Sequence, residues 1–152
     1  MDNVDREMRT VLVVEDNEDD RYLLGRAADQ SVSSVACHFV ANVDEAKAYL
    51  KGSGRFSDRI NYPLPDLLLL DLMLPKEDGL SLLKWIRCSP VGRPLKVCVW
   101  TGSSDPRLTG EAKRLGANWL IQKTTEPEHF SGVVSQLARI GGFSRAVASL
   151  CV

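Results

Sequence analysis

Short apolar runs alternate along this chain with longer segments in which apolar residues recur every three or four positions. The runs predict buried strands, and the longer segments predict helices with one apolar face. The clearest run is the four leucines at 67–70, which end at Asp71 and are followed by Pro75. A strand without polar alternation is buried on both faces, as in a parallel sheet covered by helices. The predicted strands span 10–14, 35–41, 67–70, 95–100 and 117–122.

The intervening segments carry helix signals near their starts. Asn17 is predicted to cap the first helix, and Pro106 suits the first position of another. Thr125 and Glu128 have the spacing of a capping box, so the last helix is predicted to begin there. Segment 52–65, rich in Gly, Ser and Pro, is predicted to be a long exposed loop. Strand and helix alternate five times, which predicts an α/β fold with one doubly wound five-stranded parallel sheet and helices on both faces.

Composition excludes several classes of protein. The 152 residues suit one domain, and a net charge of −1 gives no general attraction to nucleic acid or to an anionic membrane. No apolar run approaches the roughly 20 residues that span a bilayer. Neither His38 nor His129 follows a predicted strand, so both are expected to be structural or exposed. The cysteines lack metal-site spacing and predict a reduced, cytoplasmic protein: Cys37, Cys88, Cys98 and Cys151.

The carboxyl ends of the predicted strands carry a set of polar side chains. Glu15 and Asp16 follow the first strand, Asp71 the third, Thr101 the fourth and Lys123 the fifth. With the strand order 2-1-3-4-5, these side chains meet in one crevice, at the edge where open parallel sheets bind ligands. Two carboxylates about 4 Å apart repel by roughly 4 kcal/mol at an effective dielectric constant of about 20, so three together need a cation. Oxygen ligands suit Mg²⁺, and the set suits transfer of a phosphoryl group onto Asp71.

These residues belong to an ordered pattern that continues beyond the strand ends: Glu15-Asp16, Asp71, Pro75, Gly79, Thr101-Gly102 and Lys123. From about residue 11 to residue 140, the chain resembles the receiver domain of two-component response regulators. The resemblance implies a flavodoxin-like fold and Asp71 as the phosphoacceptor. It also implies that Glu15, Asp16, Asp71 and the backbone carbonyl of Met73 hold Mg²⁺. Thr101 and Lys123 would contact the phosphoryl group.

The resemblance also carries expectations about organisation and partners. We expect a single receiver domain over 1–152, with a core at about 10–140, a tail at 141–152 and no output domain, because the chain after Lys123 is too short for a helix-turn-helix. The narrower likeness is to stand-alone regulators of bacterial phytochrome kinases. The expected partners are a sensor histidine kinase or a phosphotransfer protein, and a second copy through the fourth and fifth helices or the tail. Neither nucleic acid nor membrane is expected.

Two alternatives compete with this signalling switch, which would catalyse only its own phosphorylation and slow hydrolysis of the aspartyl phosphate. A phosphohydrolase of similar topology would need a second aspartate two residues after the nucleophile, where this chain has Met73. A binding module that is never phosphorylated would not need the full acidic, threonine and lysine set. At the local level, Asp71 could simply start a turn, and Glu18, Asp19 and Asp20 could simply favour a helix start through the macrodipole.

The chain departs from the usual receiver pattern at two positions. The family usually has proline after the lysine, with a cis bond before it, and here that residue is Thr124. The family's switch aromatic lies three residues before the lysine, and here it is Leu120. Trp119 is adjacent but is predicted to point to the opposite face. Trp100, directly before Thr101, is predicted to pack within the sheet.

Overall fold

The computed structural model describes residues 9–32 and 35–142, in which five strands alternate with five helices. A short 3₁₀ turn at Gly54–Phe56 lies between the second helix and the third strand. The strands are β1 Arg9–Val14, β2 Val35–Val40, β3 Leu67–Leu70, β4 Lys96–Thr101 and β5 Trp119–Gln122. The helices are α1 Glu18–Gln30, α2 Val43–Lys51, α3 Gly79–Cys88, α4 Pro106–Arg114 and α5 His129–Gly142. The tail was predicted at 141–152, but α5 continues to Gly142, so its first two residues are helical. Residues 143–152, with Cys151, lie outside the described residues.

The five strands form one parallel sheet in the order β2-β1-β3-β4-β5, which confirms the predicted topology. The central strands are in close register, with Val14 opposite Leu70 and Leu70 opposite Val99. Because the ends of β1 and β3 lie side by side, the residues that follow them emerge at the same level. This register sets the geometry of the crevice at the carboxyl edge.

Two apolar cores lie on the two faces of the sheet, and β3 contributes to both. Leu68 and Leu70 pack in the core covered by α2, α3 and α4. Leu67 and Leu69 pack in the core covered by α1 and α5. All four leucines are buried, as the unbroken apolar run predicted. No helix among residues 9–32 and 35–142 combines the length and the apolar character needed to cross a membrane.

Side chains cap four of the helices at their amino ends. The Asn17 side chain accepts from the Asp20 N–H at 2.9 Å, which confirms the predicted cap of α1. Pro106 occupies the start of α4, also as predicted. The remaining caps use the same chemistry, a side-chain oxygen that accepts a backbone N–H of the first turn: Asn42 for α2, Asp78 for α3 and Asp105 for α4.

Two predicted boundaries are wrong near the end of the chain. Helix α5 begins at His129, so the predicted capping box at Thr125 does not form. Pro127 explains this, because proline disfavours helical geometry in the preceding residue. Strand β5 begins at Trp119, two residues later than predicted, because the Asn118 side chain accepts the Val97 N–H at 2.9 Å in place of a strand carbonyl.

More than half of the residues in segment 52–65 are exposed, as predicted, but the segment also makes contacts that the prediction did not include. Phe56 is buried and its ring centroid lies 5.1 Å from that of Tyr49. The Tyr49 hydroxyl donates to the Pro63 carbonyl at 2.9 Å, and Arg59 donates to the carbonyls of Tyr49 and Leu50 at 2.8 and 2.9 Å. Aromatic packing and these hydrogen bonds therefore hold the loop against α2. Glycine and proline content alone gave no sign of these contacts.

Candidate functional site

The backbone ladder continues one residue past β1 and β3, and this places two acids side by side. Glu15 N–H donates to the Val40 carbonyl at 3.0 Å, and Asp71 N–H donates to the Val14 carbonyl at 3.1 Å. Glu15 is fully buried and Asp71 is 5% exposed, while Asp16 is exposed. The acids of the two strands therefore share the carboxyl edge, as their positions after apolar runs predicted.

The carboxylates of Glu15, Asp16 and Asp71 form a cluster. One oxygen from each lies within 4.8 Å of the others. Three like charges at this separation repel strongly, and an added cation would relieve that repulsion. Carboxylate oxygens are the hard ligands that Mg²⁺ and similar divalent cations prefer. The donor set therefore fits the predicted metal.

Lys123 lies across the crevice from this cluster. Its N–H donates to the Thr101 carbonyl at 2.8 Å, which holds the residue at the end of β5. Its ammonium Nζ donates to Glu15 Oε2 at 2.5 Å and to Asp71 Oδ2 at 3.1 Å. A third bond goes to Asp20 Oδ2 at 2.9 Å. One ammonium thus joins carboxylates from the ends of β1 and β3 and from the first turn of α1.

Burial and hydrogen bonding have opposing effects on the pKa values of Glu15 and Lys123. Burial raises the pKa of Glu15 to about 7, repulsion from Asp71 adds to the rise, and the hydrogen bond from Lys123 opposes it. For Lys123, burial lowers the pKa, but the hydrogen bonds to Glu15 and Asp20 outweigh burial, so the net pKa is raised. The ammonium is therefore held in its charged form, and it only partly compensates the surrounding acids.

Thr101 and Met73 lie at the same edge with different contacts. Thr101 is fully buried, and its hydroxyl oxygen accepts the Ser103 N–H at 3.2 Å. Within the described ranges, no hydrogen bond joins Thr101 to Asp71 or to the Lys123 ammonium. The Met73 N–H donates to Asp71 Oδ1 at 3.0 Å, and the Met73 side chain is 60% exposed. The metal-binding role of the Met73 carbonyl stays a prediction.

Asp20 is a site residue that sequence reasoning assigned only to the helix macrodipole. It lies four positions before Leu24, which is fully buried, so helical spacing places Asp20 on the inward face of α1. That spacing was the available signal. The acid therefore has two partners, the amino end of α1 and the Lys123 ammonium.

Trp100 and His129 also belong to the site, although His129 was expected to lie away from the crevice. The Lys123 Nζ lies 4.7 Å from the centroid of the Trp100 ring. The Trp100 indole N–H donates to His129 Nε2 at 3.0 Å. Trp100 is fully buried, which confirms the predicted packing within the sheet. His129 therefore has a structural role, one of the two that were expected, although it lies closer to the crevice than its distance in sequence from the predicted strand ends suggested.

The two departures from the receiver pattern have plain structural counterparts. No peptide bond in the described part of the chain is cis, so the Lys123–Thr124 bond is trans. Leu120 packs against the core covered by α2, α3 and α4. Trp119 is 37% exposed. No aromatic side chain therefore stands three residues before the lysine.

This fold and crevice correspond to a known class of signalling protein. Residues 11–135 match the response regulator receiver domain, and the chain belongs to that family. The response regulator Rcp1 of Synechocystis sp. is 31% identical over 116 residues, which make up 76% of this chain and 77% of Rcp1. The virulence transcriptional regulatory protein PhoP of Salmonella typhimurium is 32% identical over 142 residues. That match covers 93% of this chain but 56% of PhoP, so the chain spans little more than half of that relative.

Solved structures of similar proteins share the fold. The Mn²⁺-bound form of Rcp1 superposes with a TM-score of 0.74 at 27% identity, covering 85% of this chain and 91% of Rcp1. The phosphorylated cyanobacterial phytochrome response regulator RcpA superposes with a TM-score of 0.76 at 29% identity, covering 85% of this chain and 90% of RcpA. The doubly wound sheet predicted from the strand pattern and the receiver fold implied by the resemblance are therefore both confirmed.

Proposed function

We propose that Asp71 accepts a phosphoryl group from a histidine kinase of a two-component system, and that phosphorylation changes the contacts of this chain with other proteins. Family membership supports the class of function. The observation that carries the residue assignment is the Lys123 ammonium, which bonds both Glu15 and Asp71 beside the exposed Asp16. A nucleophilic carboxylate, a fixed cation and two further acids are the parts that this reaction uses.

In the proposed reaction, a carboxylate oxygen of Asp71 attacks the phosphorus of a phosphohistidine. An oxygen–phosphorus bond forms, the phosphorus–nitrogen bond breaks, and its electron pair stays on the imidazole nitrogen. The Lys123 ammonium is already bonded to Asp71 and would offset charge on the phosphoryl oxygens. Thr101 accepts a hydrogen bond from Ser103, so its own hydroxyl proton is available to a phosphoryl oxygen.

We further propose that Glu15, Asp16 and Asp71, with the Met73 carbonyl, hold Mg²⁺. The clustered carboxylate oxygens support this choice, and the Mn²⁺-bound structure of Rcp1 supports a divalent cation in a relative. A bound Mg²⁺ would supply positive charge toward the phosphoryl oxygens. The protein's own part is to keep the acids together at one edge of the sheet and to keep the Lys123 ammonium bonded to Asp71.

The proposed partners follow from the likeness to phytochrome-associated regulators. RcpA is described as a cyanobacterial phytochrome response regulator, which supports a phytochrome-type histidine kinase as the source of phosphate for this chain. A phosphotransfer protein could take the same role. We also propose that the protein works in the cytoplasm, that phosphorylation shifts its dimerisation, and that the aspartyl phosphate hydrolyses slowly. Met73, exposed beside Asp71, would shield it from water, so Met73→Asn should shorten the phosphate lifetime.

Labelling with acetyl phosphate tests the assignment of the phosphoacceptor. Wild type should be labelled with Mg²⁺ and unlabelled when EDTA removes the metal, and Asp71→Asn should stay unlabelled in both conditions. Asp78→Asn is a matched control, because Asp78 caps α3 through its side-chain oxygen and asparagine caps equally well. This control should label like wild type. Equal labelling of Asp71→Asn and wild type would overturn the assignment.

A further inference from the structure

The Trp100 ring makes a cation–π contact with the Lys123 ammonium. The ammonium nitrogen lies 4.7 Å from the centroid of this buried ring. A cation at this range is attracted by the negative face of the ring, and more strongly where water is excluded than at an exposed site. Trp100 is fully buried and the Lys123 side chain is 18% exposed, so this contact belongs to the desolvated kind.

Trp100 is itself held in place by the first residues of α5. Its indole N–H donates to His129 Nε2 at 3.0 Å, and the His129 ring lies nearly parallel to it, with centroids 6.0 Å apart and an angle of 23°. The Phe130 ring meets the indole edge-on at 6.0 Å. Burial lowers the pKa of His129, which favours the neutral imidazole that can accept this hydrogen bond. The indole is therefore fixed by a hydrogen bond and by two rings.

Simple packing does not account for this arrangement. A leucine or phenylalanine would fill the space without burying an N–H, which costs free energy unless it finds a partner. The partner here is a histidine whose position in sequence is 29 residues away. The pair thus adds a polar contact to the core directly beneath the lysine that the phosphoacceptor contacts.

The other contacts of the Lys123 ammonium are three carboxylates, from the ends of β1 and β3 and from the first turn of α1. Its ammonium is a compact charge on a flexible four-carbon stem, and the carboxylates of Glu15, Asp20 and Asp71 attract it without limiting its approach. The rigid face of the Trp100 ring, with its centroid 4.7 Å from the ammonium nitrogen, adds a contact of fixed position.

We propose that Trp100, fixed by His129, is a positioning residue that holds the Lys123 ammonium at Asp71. The part of this inference that concerns phosphorylation rests on the proposed function. The positioning itself is a property of the unphosphorylated protein and can be measured without any phosphate donor.

Side-chain NMR of the lysines tests the positioning directly. The protons at the end of the Lys123 side chain should be shifted upfield by the ring current of Trp100 in wild type. The shift should persist in part in Trp100→Phe, which keeps a ring face, and disappear in Trp100→Leu. Lys123→Arg identifies the resonance. An unchanged Lys123 resonance in Trp100→Leu would overturn the proposal whether or not Asp71 is ever phosphorylated.

The rate of labelling by acetyl phosphate tests the consequence for the reaction. Trp100→Leu should slow labelling by up to about thirty-fold, the factor that corresponds to the loss of a desolvated cation–π contact. The same substitution should cause no further loss in a Lys123→Gln background, whereas a general loss of packing would slow both proteins equally. His129→Gln keeps an acceptor and should recover most of the rate that His129→Leu loses. Equal slowing in both lysine backgrounds would overturn the proposal. Absence of labelling in wild type would instead refute the proposed function and leave the NMR result standing.

Discussion

Two cationic side chains, Arg87 and Lys123, lie at opposite edges of the same sheet. The groups that surround them differ in charge. Arg87, near the end of α3, reaches the amino edge, where its guanidinium donates to the Leu95 carbonyl at 2.7 Å and the Gly116 carbonyl at 2.6 Å. Lys123 reaches the carboxyl edge and meets three carboxylates. The further acceptors of Arg87 are also uncharged oxygens: the Gly92 and Arg93 carbonyls and Asn118 Oδ1.

The difference separates a structural network from a reactive one. Arg87 ties the loop before β4 to the loop before β5 through neutral oxygens, and in the described residues it has no carboxylate partner. Both terminal nitrogens of its guanidinium donate hydrogen bonds, and no cluster of carboxylates surrounds it in the described part of the chain. At Lys123 one positive charge faces more than one negative charge, and the surplus favours a further cation. A cleft in which burial and neighbouring like charges shift the pKa values of side chains is typical of a functional site.

Removing the arginine should have the largest effect on stability. Arg87→Met leaves the carbonyls of two loops without their donor, so we expect a loss of about 3 kcal/mol in the free energy of unfolding. Urea unfolding measures this, and adding Mg²⁺ should not change the difference from wild type. Arg93→Met, at an exposed position of the same loop, should cost less than about 0.5 kcal/mol. A loss below 1 kcal/mol in Arg87→Met would contradict the proposed role of Arg87 in holding the two loops together.

A substitution at Gly116 should perturb the Arg87 contacts at the amino edge and cost less stability than the loss of Arg87. It has a φ of +98°, and a Cβ there would lie 2.7 Å from Arg87 Nε. Gly116→Ala should therefore destabilise the protein by about 2 kcal/mol, through backbone strain and displacement of the guanidinium. The loss should shrink in an Arg87→Met background. Gly110→Ala is the control of opposite sign, since its Cβ meets open space within α4, and we expect a gain of up to about 1 kcal/mol.

The sequence predicted the parts of the site that depend on strand ends. Glu15 and Asp71 directly follow apolar runs, and Lys123 follows another, so their shared edge is a consequence of parallel strand order. Such positions are local, because each needs only the boundary of one strand. The same reasoning located the crevice without any knowledge of side-chain contacts.

The sequence could not predict contacts that depend on how separate elements approach each other. Arg87 reads as an ordinary basic residue in the last turn of a helix, and its acceptors come from two later loops. Asp20 fits the helix macrodipole equally well with or without Lys123. The contact between Trp100 and His129 required the true start of α5, which the predicted capping box placed too early.

Replacing the lysine should separate metal binding from phosphorylation. Lys123→Gln removes a positive charge that competes with a divalent cation, so Mg²⁺ affinity should rise about ten-fold while labelling by acetyl phosphate slows. Calorimetry near pH 8.5, above the Glu15 pKa of about 7, limits competition from protons. Arg87→Met should bind Mg²⁺ like wild type, because its network holds no acid. A fall in Mg²⁺ affinity in Lys123→Gln would contradict the idea of surplus negative charge.

The smallest effect should come from Asp20, and here the chain provides a close control. Asp20→Asn and Asp19→Asn each remove one acid from the first turn of α1, but only Asp20 bonds the Lys123 ammonium. The Asp20 side chain is 24% exposed, so solvent screens the pair to about 0.5–1 kcal/mol. We therefore expect labelling to slow about three-fold in Asp20→Asn and to stay near the wild-type rate in Asp19→Asn.

Measuring Asp20→Asn in a Lys123→Gln background tests whether Asp20 affects labelling through the Lys123 ammonium. If Asp20 acts by anchoring the ammonium, Asp20→Asn should have no further effect on labelling once the ammonium is gone. The logic is the same as for Gly116→Ala, whose effect on stability should be smaller without Arg87. If the two α1 variants slow labelling equally, the cause is the general field at the amino end of the helix. Among the acids, only Glu15 and Asp71 would then anchor Lys123, and α1 would contribute charge to the crevice without fixing the geometry of its cation.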